Sequence, residues 1–175
     1  MNEISRVAQG MLEEAGVTEP AVPVEDLARM AGAVVSYQPF DSVDISGLLY
    51  RSANAAPVIG VNSANAKVRQ RFTIAHELGH MQFHKGHSLI LERQMHVNFR
   101  DTTSATTTSQ EEAEANQFAA ELLMPRDFLE RALKSLLAGR PLADAAIVSK
   151  LANRFEVSRQ AMEYRLASLG LLTPS

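Results

Sequence analysis

The sequence predicts an α+β fold in which a small antiparallel or mixed sheet packs on a central helix, followed by a helical segment. Three observations lead to this prediction. Short β-rich runs are confined to residues 34–62, helical apolar periodicity lies on both sides of them, and residues 126–175 carry helical patterns throughout. We expect residues 1–125 to form one core and residues 126–175 a helical subdomain packed on it.

The first part of the chain alternates between helix and strand signals. Apolar spacing predicts a helix from Ile4 to Ala15, which Gly16 ends, and a second helix from Val24 to Met30. Runs rich in β-branched residues then indicate three strands, and the small polar residues 52–56 suit a hairpin between the last two. These strands are predicted at Val34–Tyr37, Ile45–Arg51 and Pro57–Asn62.

Helical patterns return after residue 64. The segment from Asn65 to His84 is predicted as a helix, whereas residues 87–109 show no clear pattern and end in a Thr/Ser-rich loop, residues 101–109. A strong helix is predicted from Gln110 to Leu123, where Met124 and Pro125 end it. Three further helices are predicted at Asp127–Ala138, Leu142–Phe155 and Ser158–Leu169.

The composition excludes several classes of protein. The chain has no cysteine, which excludes disulfides, thiol nucleophiles and Cys-ligated zinc, and fits a cytoplasmic location. We see no signal peptide and no apolar run long enough to span a membrane. The net charge of -3 argues against broad nucleic-acid affinity, although residues 126–175 hold eight Lys/Arg against five Asp/Glu.

The string His76-Glu77-Leu78-Gly79-His80 lies inside the predicted helix over residues 65–84. Residues four apart on a helix point in nearly the same direction, offset by roughly 40° at about 3.6 residues per turn. Two imidazoles so placed can hold one Zn²⁺, while Glu77 projects beside the metal and can take a proton from water. The alternative interpretation is a chance match on a surface helix.

A zinc site of this kind needs a third protein ligand, and the helix over residues 110–123 supplies four glutamates. Glu112 lies beside the apolar stripe of that helix and is the favoured ligand, with Glu111 as the second choice. Asn116, one turn further on, could accept a hydrogen bond from the other nitrogen of a ligating histidine. Glu114 and Glu121 fall on the polar face, where we expect solvated carboxylates.

His84 stands four residues after His80 and extends the histidine spacing by one more helical turn. It would lie roughly 12 Å along the axis from His76 at 1.5 Å per residue, too far to share its ion. We therefore interpret His84 as a residue of the helix C-terminus, where a protonated imidazole complements the helix dipole.

Two strings together resemble the ImmA/IrrE family of zinc metallopeptidases. The first is residues 71–80, which contain the histidine motif, and the second is the E-x-x-A-N-x-F-A-x-x-L-L-M-P run over residues 112–125. The resemblance covers roughly Val22 to Leu171. It implies a zincin-like metallopeptidase domain of the gluzincin kind over residues 1–125, with His76, His80 and Glu112 as zinc ligands and Glu77 as the general base.

The family also implies a partner. Its members typically cleave helix-turn-helix repressors in mobile elements, phages or stress responses, so a repressor of that type is the expected substrate. Some relatives carry a DNA-binding domain in front of the peptidase region. This chain begins almost directly with the peptidase region, and we therefore expect the repressor to be a separately encoded protein.

The C-terminal residues 151–166 resemble a helix-turn-helix in which Ser158 caps the second helix. In a DNA reader of this type, Arg159 and Arg165 would contact the groove or the phosphates. Glu156 occupies the turn, where its charge would repel phosphate, and the charge excess of the segment is small. We therefore expect packing or substrate docking here and no direct DNA binding.

The predicted reaction is zinc-dependent hydrolysis of peptide bonds in that protein partner, although Mn²⁺ also suits a His/His/Glu set. Tyr50, His87 and His96 are the candidate stabilisers of the oxyanion. The strand at residues 48–50 or at residues 58–61 could pair with an extended substrate. The alternative function is a DNA-binding or partner-sequestering regulator whose metal site is not catalytic.

Overall fold

A computed structural model of the chain describes residues 2–41, 44–86, 88–93, 108–137 and 145–171. Within these ranges the chain forms seven helices and one four-stranded sheet, which confirms the predicted α+β class. None of the helices in this part of the chain is long and apolar enough to cross a bilayer. The elements are α1 (Glu3–Glu14), α2 (Val24–Met30), β1 (Val34–Gln38), β2 (Ile45–Ser52), β3 (Ala55–Asn62), α3 (Lys67–Phe83), β4 (Leu89–Arg93), α4 (Ser109–Leu123), α5 (Arg126–Leu137), α6 (Ala145–Phe155) and α7 (Arg159–Ser168).

The chain divides into two compact units. The sheet unit comprises Pro23–Ala119, and the helical unit comprises Met1–Val22 together with Ala120–Ser175. The sheet unit holds α2, α3, the four strands and the first part of α4. The predicted boundary between residues 125 and 126 stays a prediction.

The sheet is mixed, with the strand order β1-β3-β2-β4. β1 runs parallel to β3, whereas β2 is antiparallel to both of its neighbours, β3 and β4. The hairpin between β2 and β3 is tighter than predicted, because Ser52 pairs with Ala55. β4 was not predicted, and it lies in the segment that showed no clear sequence pattern.

The strand order corrects the predicted substrate-binding strand. Residues 48–50 lie in β2 and residues 58–61 lie in β3, and each of these strands is paired on both sides. Their backbone N–H and C=O groups are already hydrogen-bonded to neighbouring strands, so neither β2 nor β3 can pair with a substrate strand. Among the strands that the structure describes, the outer ones are β1 and β4.

A network of amide contacts fixes where α3 begins. The Asn62 side chain donates to the carbonyl of Ile45 at 3.0 Å and accepts from the N–H of Ala64 at 3.0 Å. The Gln70 amide donates to the carbonyls of Ser63 and Asn65, at 3.1 and 2.7 Å. These bonds tie the connecting loop to the first turn of α3 and hold that turn on the end of β3, so that α3 packs against β2 and β3.

In the helical unit, α6 and α7 are joined by residues 156–158, and Ser158 caps α7 by accepting from the N–H of Ala161 at 3.1 Å. Glu156 takes the turn position with a φ of 53°, in the left-handed region. The predicted end of one helix at Ala138 and the predicted start of the next at Leu142 lie outside the described residues, as do residues 101–107 of the predicted loop.

Arg165 of α7 is buried, so it does not present the exposed cation that a DNA-reading helix would need at this position. Its side chain is 5% exposed, and two of its nitrogens lie 3.1 and 2.6 Å from the two carboxylate oxygens of Glu121. The third nitrogen donates to the carbonyl of Met124 at 3.1 Å. The prediction of a solvated carboxylate at Glu121 is also wrong, because this carboxylate is 18% exposed and closes a bidentate ion pair.

We predict that Arg165→Met lowers the free energy of unfolding by about 3 kcal/mol or more, because it leaves the Glu121 carboxylate partly buried beside an apolar chain. The matched control is Arg159→Met on the same helix. Arg159 pairs with Glu163 at side-chain exposures of 56% and 45%, and such a pair contributes about 0–1 kcal/mol. Urea unfolding of both variants tests this, and equal small losses would contradict the structural role of Arg165.

Candidate metal centre

The middle of α3 is buried on every side. All residues from Thr73 to His80 are buried, so the two histidines and the glutamate of the motif lie inside the protein and not on a surface helix. Glu77 has no exposed surface and His76 has 1%. Burying polar and ionisable groups costs free energy, and natural proteins retain such groups where they have a chemical role.

Gly79 lets α4 lie directly against α3. A Cβ atom at Gly79 would stand 3.1 Å from the Cα atom of Ala115 and 3.1 Å from the ring of Phe118. An added Cβ would therefore force α4 to move by at least a few tenths of an ångström. Close helix packing therefore requires a glycine at position 79 of the motif. The packing brings the first turns of α4 next to the histidines.

A capping box determines which glutamate of α4 faces the histidines. The hydroxyl of Thr108 accepts from the N–H of Glu111 at 3.2 Å, and the carboxylate of Glu111 accepts from the N–H of Thr108 at 2.7 Å. The Glu111 carboxylate is thus turned back over the helix N-terminus. Glu112, the next residue, presents its carboxylate to α3 instead.

Three potential metal ligands converge between α3 and α4. The Nε2 atom of His76 lies 3.3 Å from one carboxylate oxygen of Glu112, and the Nε2 atom of His80 lies 3.4 Å from the other. The two Nε2 atoms are 3.0 Å apart, and all three ligand atoms lie within 4.8 Å of one another. Two neutral imidazoles and one carboxylate form a donor set that suits Zn²⁺ and other divalent metals, so the residues present fit such an ion.

Asn116 selects for His76 the tautomer that a metal ligand needs. Its amide oxygen lies 3.0 Å from His76 Nδ1. An amide oxygen only accepts, so Nδ1 carries a hydrogen, and in the neutral imidazole the lone pair is then on Nε2, which faces Glu112 and His80.

His84 and Glu114 surround the second histidine. The Nδ1 atoms of His80 and His84 are 2.9 Å apart, and His84 Nε2 lies 3.0 Å from a carboxylate oxygen of Glu114. His84 is 6% exposed at the C-terminal cap of α3, so it contacts the candidate ligand in addition to ending the helix. The Glu114 side chain is 35% exposed, so its carboxylate is solvated as predicted, but its contact with His84 was not predicted. The spacing of four residues between His80 and His84, which puts the two rings on one face of α3, was the sequence feature that could have predicted their contact.

The ionisation states of this cluster follow from burial and hydrogen bonding. Burial lowers the pKa of His80, an effect that the neighbouring Glu112 opposes, and a neutral imidazole is the form that binds a metal. The hydrogen bond from His84 lowers the pKa of Glu114, so this carboxylate is ionised at neutral pH.

Arg51 of β2 is a further residue of the site, and sequence reasoning missed it. Its guanidinium donates to the carbonyl of His80 at 2.7 Å. Burial lowers the pKa of Arg51, while the negative charge of Glu77 acts to raise it. A guanidinium stays protonated under such conditions, so Arg51 brings a positive charge close to the buried Glu77 carboxylate.

The three predicted oxyanion stabilisers are not brought to the cluster by the described part of the structure. Tyr50 is 47% exposed and follows Leu49, which is fully buried, so strand alternation directs Tyr50 to the other face of the sheet. His87 and His96 lie outside the described residues.

Fold and site together define an α+β domain with a candidate His-His-Glu metal centre of the metallopeptidase type. The profile of the Peptidase_M78 family, described as IrrE N-terminal-like domain, matches residues 28–167, and the chain therefore belongs to that family. No protein with a curated description matches the chain.

A solved structure of similar fold is described as a Mycobacterium tuberculosis transcriptional regulator. It aligns with a TM-score of 0.63 at 19% sequence identity, and the alignment covers 95% of this chain and 47% of that one. The present chain thus spans about half the length of that protein.

We predict that Gly79→Ala lowers zinc affinity, because the added methyl group stands 3.1 Å from the backbone of α4 and moves the helix that carries Glu112 by a few tenths of an ångström. The overpacking cost of about 1–3 kcal/mol is partly offset by the gain of about 0.5–1 kcal/mol that Ala has over Gly within a helix. Gly10→Ala is the matched control. Gly10 lies within α1, where an added Cβ has no atom within 4 Å, so the change should stabilise by about 0.5–1 kcal/mol. Urea unfolding and zinc competition with a chromophoric chelator measure both effects, and unchanged zinc affinity in Gly79→Ala would contradict the packing argument.

Proposed function

We propose that the chain is a zinc-dependent endopeptidase that hydrolyses peptide bonds in a protein partner. The observation that carries this proposal is the convergence of His76, His80 and Glu112 beside Glu77 on one buried helix. Membership of the Peptidase_M78 family supports it. Two histidines and one glutamate leave a coordination position for water or substrate, as hydrolytic zinc sites require.

In this proposal the Nε2 atoms of His76 and His80 and the carboxylate of Glu112 hold the ion. When bound, Zn²⁺ supplies Lewis-acid polarisation of a carbonyl group and brings the pKa of water down to about 7. Manganese is a second candidate, because the nitrogen and oxygen donors lack a thiolate that would select strongly for zinc.

Glu77 is the proposed general base. It takes a proton from the attacking water and delivers it to the nitrogen of the leaving amine. Its carboxylate is fully buried, and burial alone would favour the protonated form, which cannot accept a proton. The nearby positive charge of Arg51 counteracts that effect, since Glu77 and Arg51 interact electrostatically. Arg51 thus helps to keep Glu77 ready to act as a base.

The proposed substrate is a helix-turn-helix transcriptional repressor encoded separately from this chain. The resemblance to the ImmA/IrrE family supports this choice. The structural neighbour described as a transcriptional regulator links the fold to transcription, although only about half of that protein is aligned. We propose that α6 and α7 serve for packing or substrate docking and not for DNA binding, because Arg165 is buried with Glu121 and Arg159 is paired with Glu163.

We predict that Glu77→Gln slows peptide hydrolysis by about 10²–10⁴-fold, because the amide cannot accept the proton of the attacking water. Zinc affinity should stay close to that of the unchanged chain, since Glu77 is not a ligand. The zinc-loaded protein is incubated with a small helix-turn-helix repressor from the same genome, and mass spectrometry measures the cleavage fragments.

Glu130→Gln on α5 is the control for this experiment. It removes one carboxylate from an exposed ion pair with Arg126, so cleavage should be unchanged. If Glu77→Gln still inactivates the repressor without producing fragments, the partner is sequestered and the peptidase proposal is wrong.

A further inference from the structure

His84 and Glu114 lie behind the candidate ligand His80, on the side of its ring that faces away from Glu112. Their contacts connect His80 to the exposed side of α4. We propose that His84 and Glu114 form a positioning pair that holds His80 in the tautomer whose Nε2 atom carries no hydrogen and faces the metal. Neither residue touches the ion or the substrate. The inference rests on the metal site of the proposed function and assigns a role to two side chains beyond it.

The geometry forms a continuous line of hydrogen-bonding atoms. From Glu114 Oε2 the line runs 3.0 Å to His84 Nε2, crosses that ring, and runs 2.9 Å from His84 Nδ1 to His80 Nδ1. The Nε2 atom of His80 then faces Glu112 at 3.4 Å. Glu114 is itself oriented, because its other oxygen accepts from the side-chain amide of Gln110 at 2.9 Å.

Counting donors and acceptors from the outer end gives one consistent assignment. The carboxylate of Glu114 accepts, so His84 Nε2 carries a hydrogen, and in the neutral imidazole the Nδ1 atom then carries a lone pair. That lone pair must accept a hydrogen bond from His80, which places the hydrogen of His80 on Nδ1. The remaining lone pair of His80 is then on Nε2, where a metal needs it.

The opposite orientation would block the site. If His84 carried its hydrogen on Nδ1, the Nδ1 atom of His80 would have to accept and its hydrogen would move to Nε2. That hydrogen would point at His76 Nε2, which lies 3.0 Å away, and would occupy the direction of the metal. His84 alone can adopt either tautomer, and the carboxylate of Glu114 selects the useful one.

The two ligating histidines thus receive the same tautomer in different ways. Asn116 holds His76 directly, because an amide oxygen has no second tautomer. His80 is held by an imidazole, which needs a further group to define its state. This difference provides a test, since an asparagine in place of His84 should make Glu114 unnecessary.

Zinc affinity is measured for the full-length chain by competition with a chromophoric chelator. We expect Glu114→Ala and His84→Phe to weaken zinc binding by about 10–100-fold, the usual effect of losing a residue that orients a metal ligand. His84→Asn should retain most of the affinity, and adding Glu114→Ala in that background should cost little more. Glu163→Gln is the control, because it removes a carboxylate from an exposed ion pair with Arg159 on α7 and should leave affinity unchanged.

Nitrogen-15 NMR of the imidazole rings in the zinc-bound protein supplies a readout that a purely structural role would not change. We expect His84 to show a protonated Nε2 and an unprotonated Nδ1, and Glu114→Ala to produce a mixture of tautomers. The proposal is overturned if His84 carries its hydrogen on Nδ1 in the unchanged protein. It is also overturned if Glu114→Ala costs as much in the His84→Asn background as alone.

These measurements separate the inference from the proposed peptidase function. Loss of zinc affinity in the pattern described, without any hydrolysis of a repressor, would support the positioning pair and refute the peptidase. Failure of the unchanged chain to bind zinc would overturn both.

Discussion

The close packing of α3 against α4 at Gly79 determines how the two candidate ligand histidines meet their partners on α4. Both histidines come from α3, whereas Glu112, Asn116 and Glu114 all come from α4, so each of their contacts depends on the distance between the two helix backbones. The absence of a side chain at Gly79 permits that distance. The capping box at Thr108 then sets where α4 begins, and so determines which carboxylate meets the histidines.

Burial explains why the site needs so many partners. In the middle of α3 the polar groups have almost no access to water, and each imidazole must find a defined partner for its outer nitrogen. Asn116 and the His84–Glu114 pair meet this requirement, and in doing so they direct both inner nitrogens toward Glu112. Arg51 brings a compensating positive charge to Glu77. The contacts that make this buried polar cluster stable also prepare it to bind a cation.

The parts of the site that lie within one helix could be predicted from the sequence, because helical periodicity determines their relative directions. His76 and His80 share a face, and Glu112 and Asn116 are separated by one turn of α4, so the common direction within each pair followed from spacing. The meeting of the two pairs depends on the packing of α3 against α4 at Gly79. The contacts of Arg51 and Arg165 depend on which elements pack together, and no local pattern contains that information. The same reason explains why β4 was missed and why β2 and β3 were wrongly predicted to offer an edge for substrate.

X-ray absorption spectroscopy on the zinc-loaded protein tests the central claim most directly. The account predicts a four-coordinate shell of nitrogen and oxygen atoms at about 2.0–2.1 Å, with the multiple-scattering pattern of two imidazoles. Glu112→Ala should alter the first shell while leaving both imidazoles in place. A hydrated ion without imidazole scattering, or a spectrum that does not change in Glu112→Ala, would contradict a shared His76, His80 and Glu112 centre.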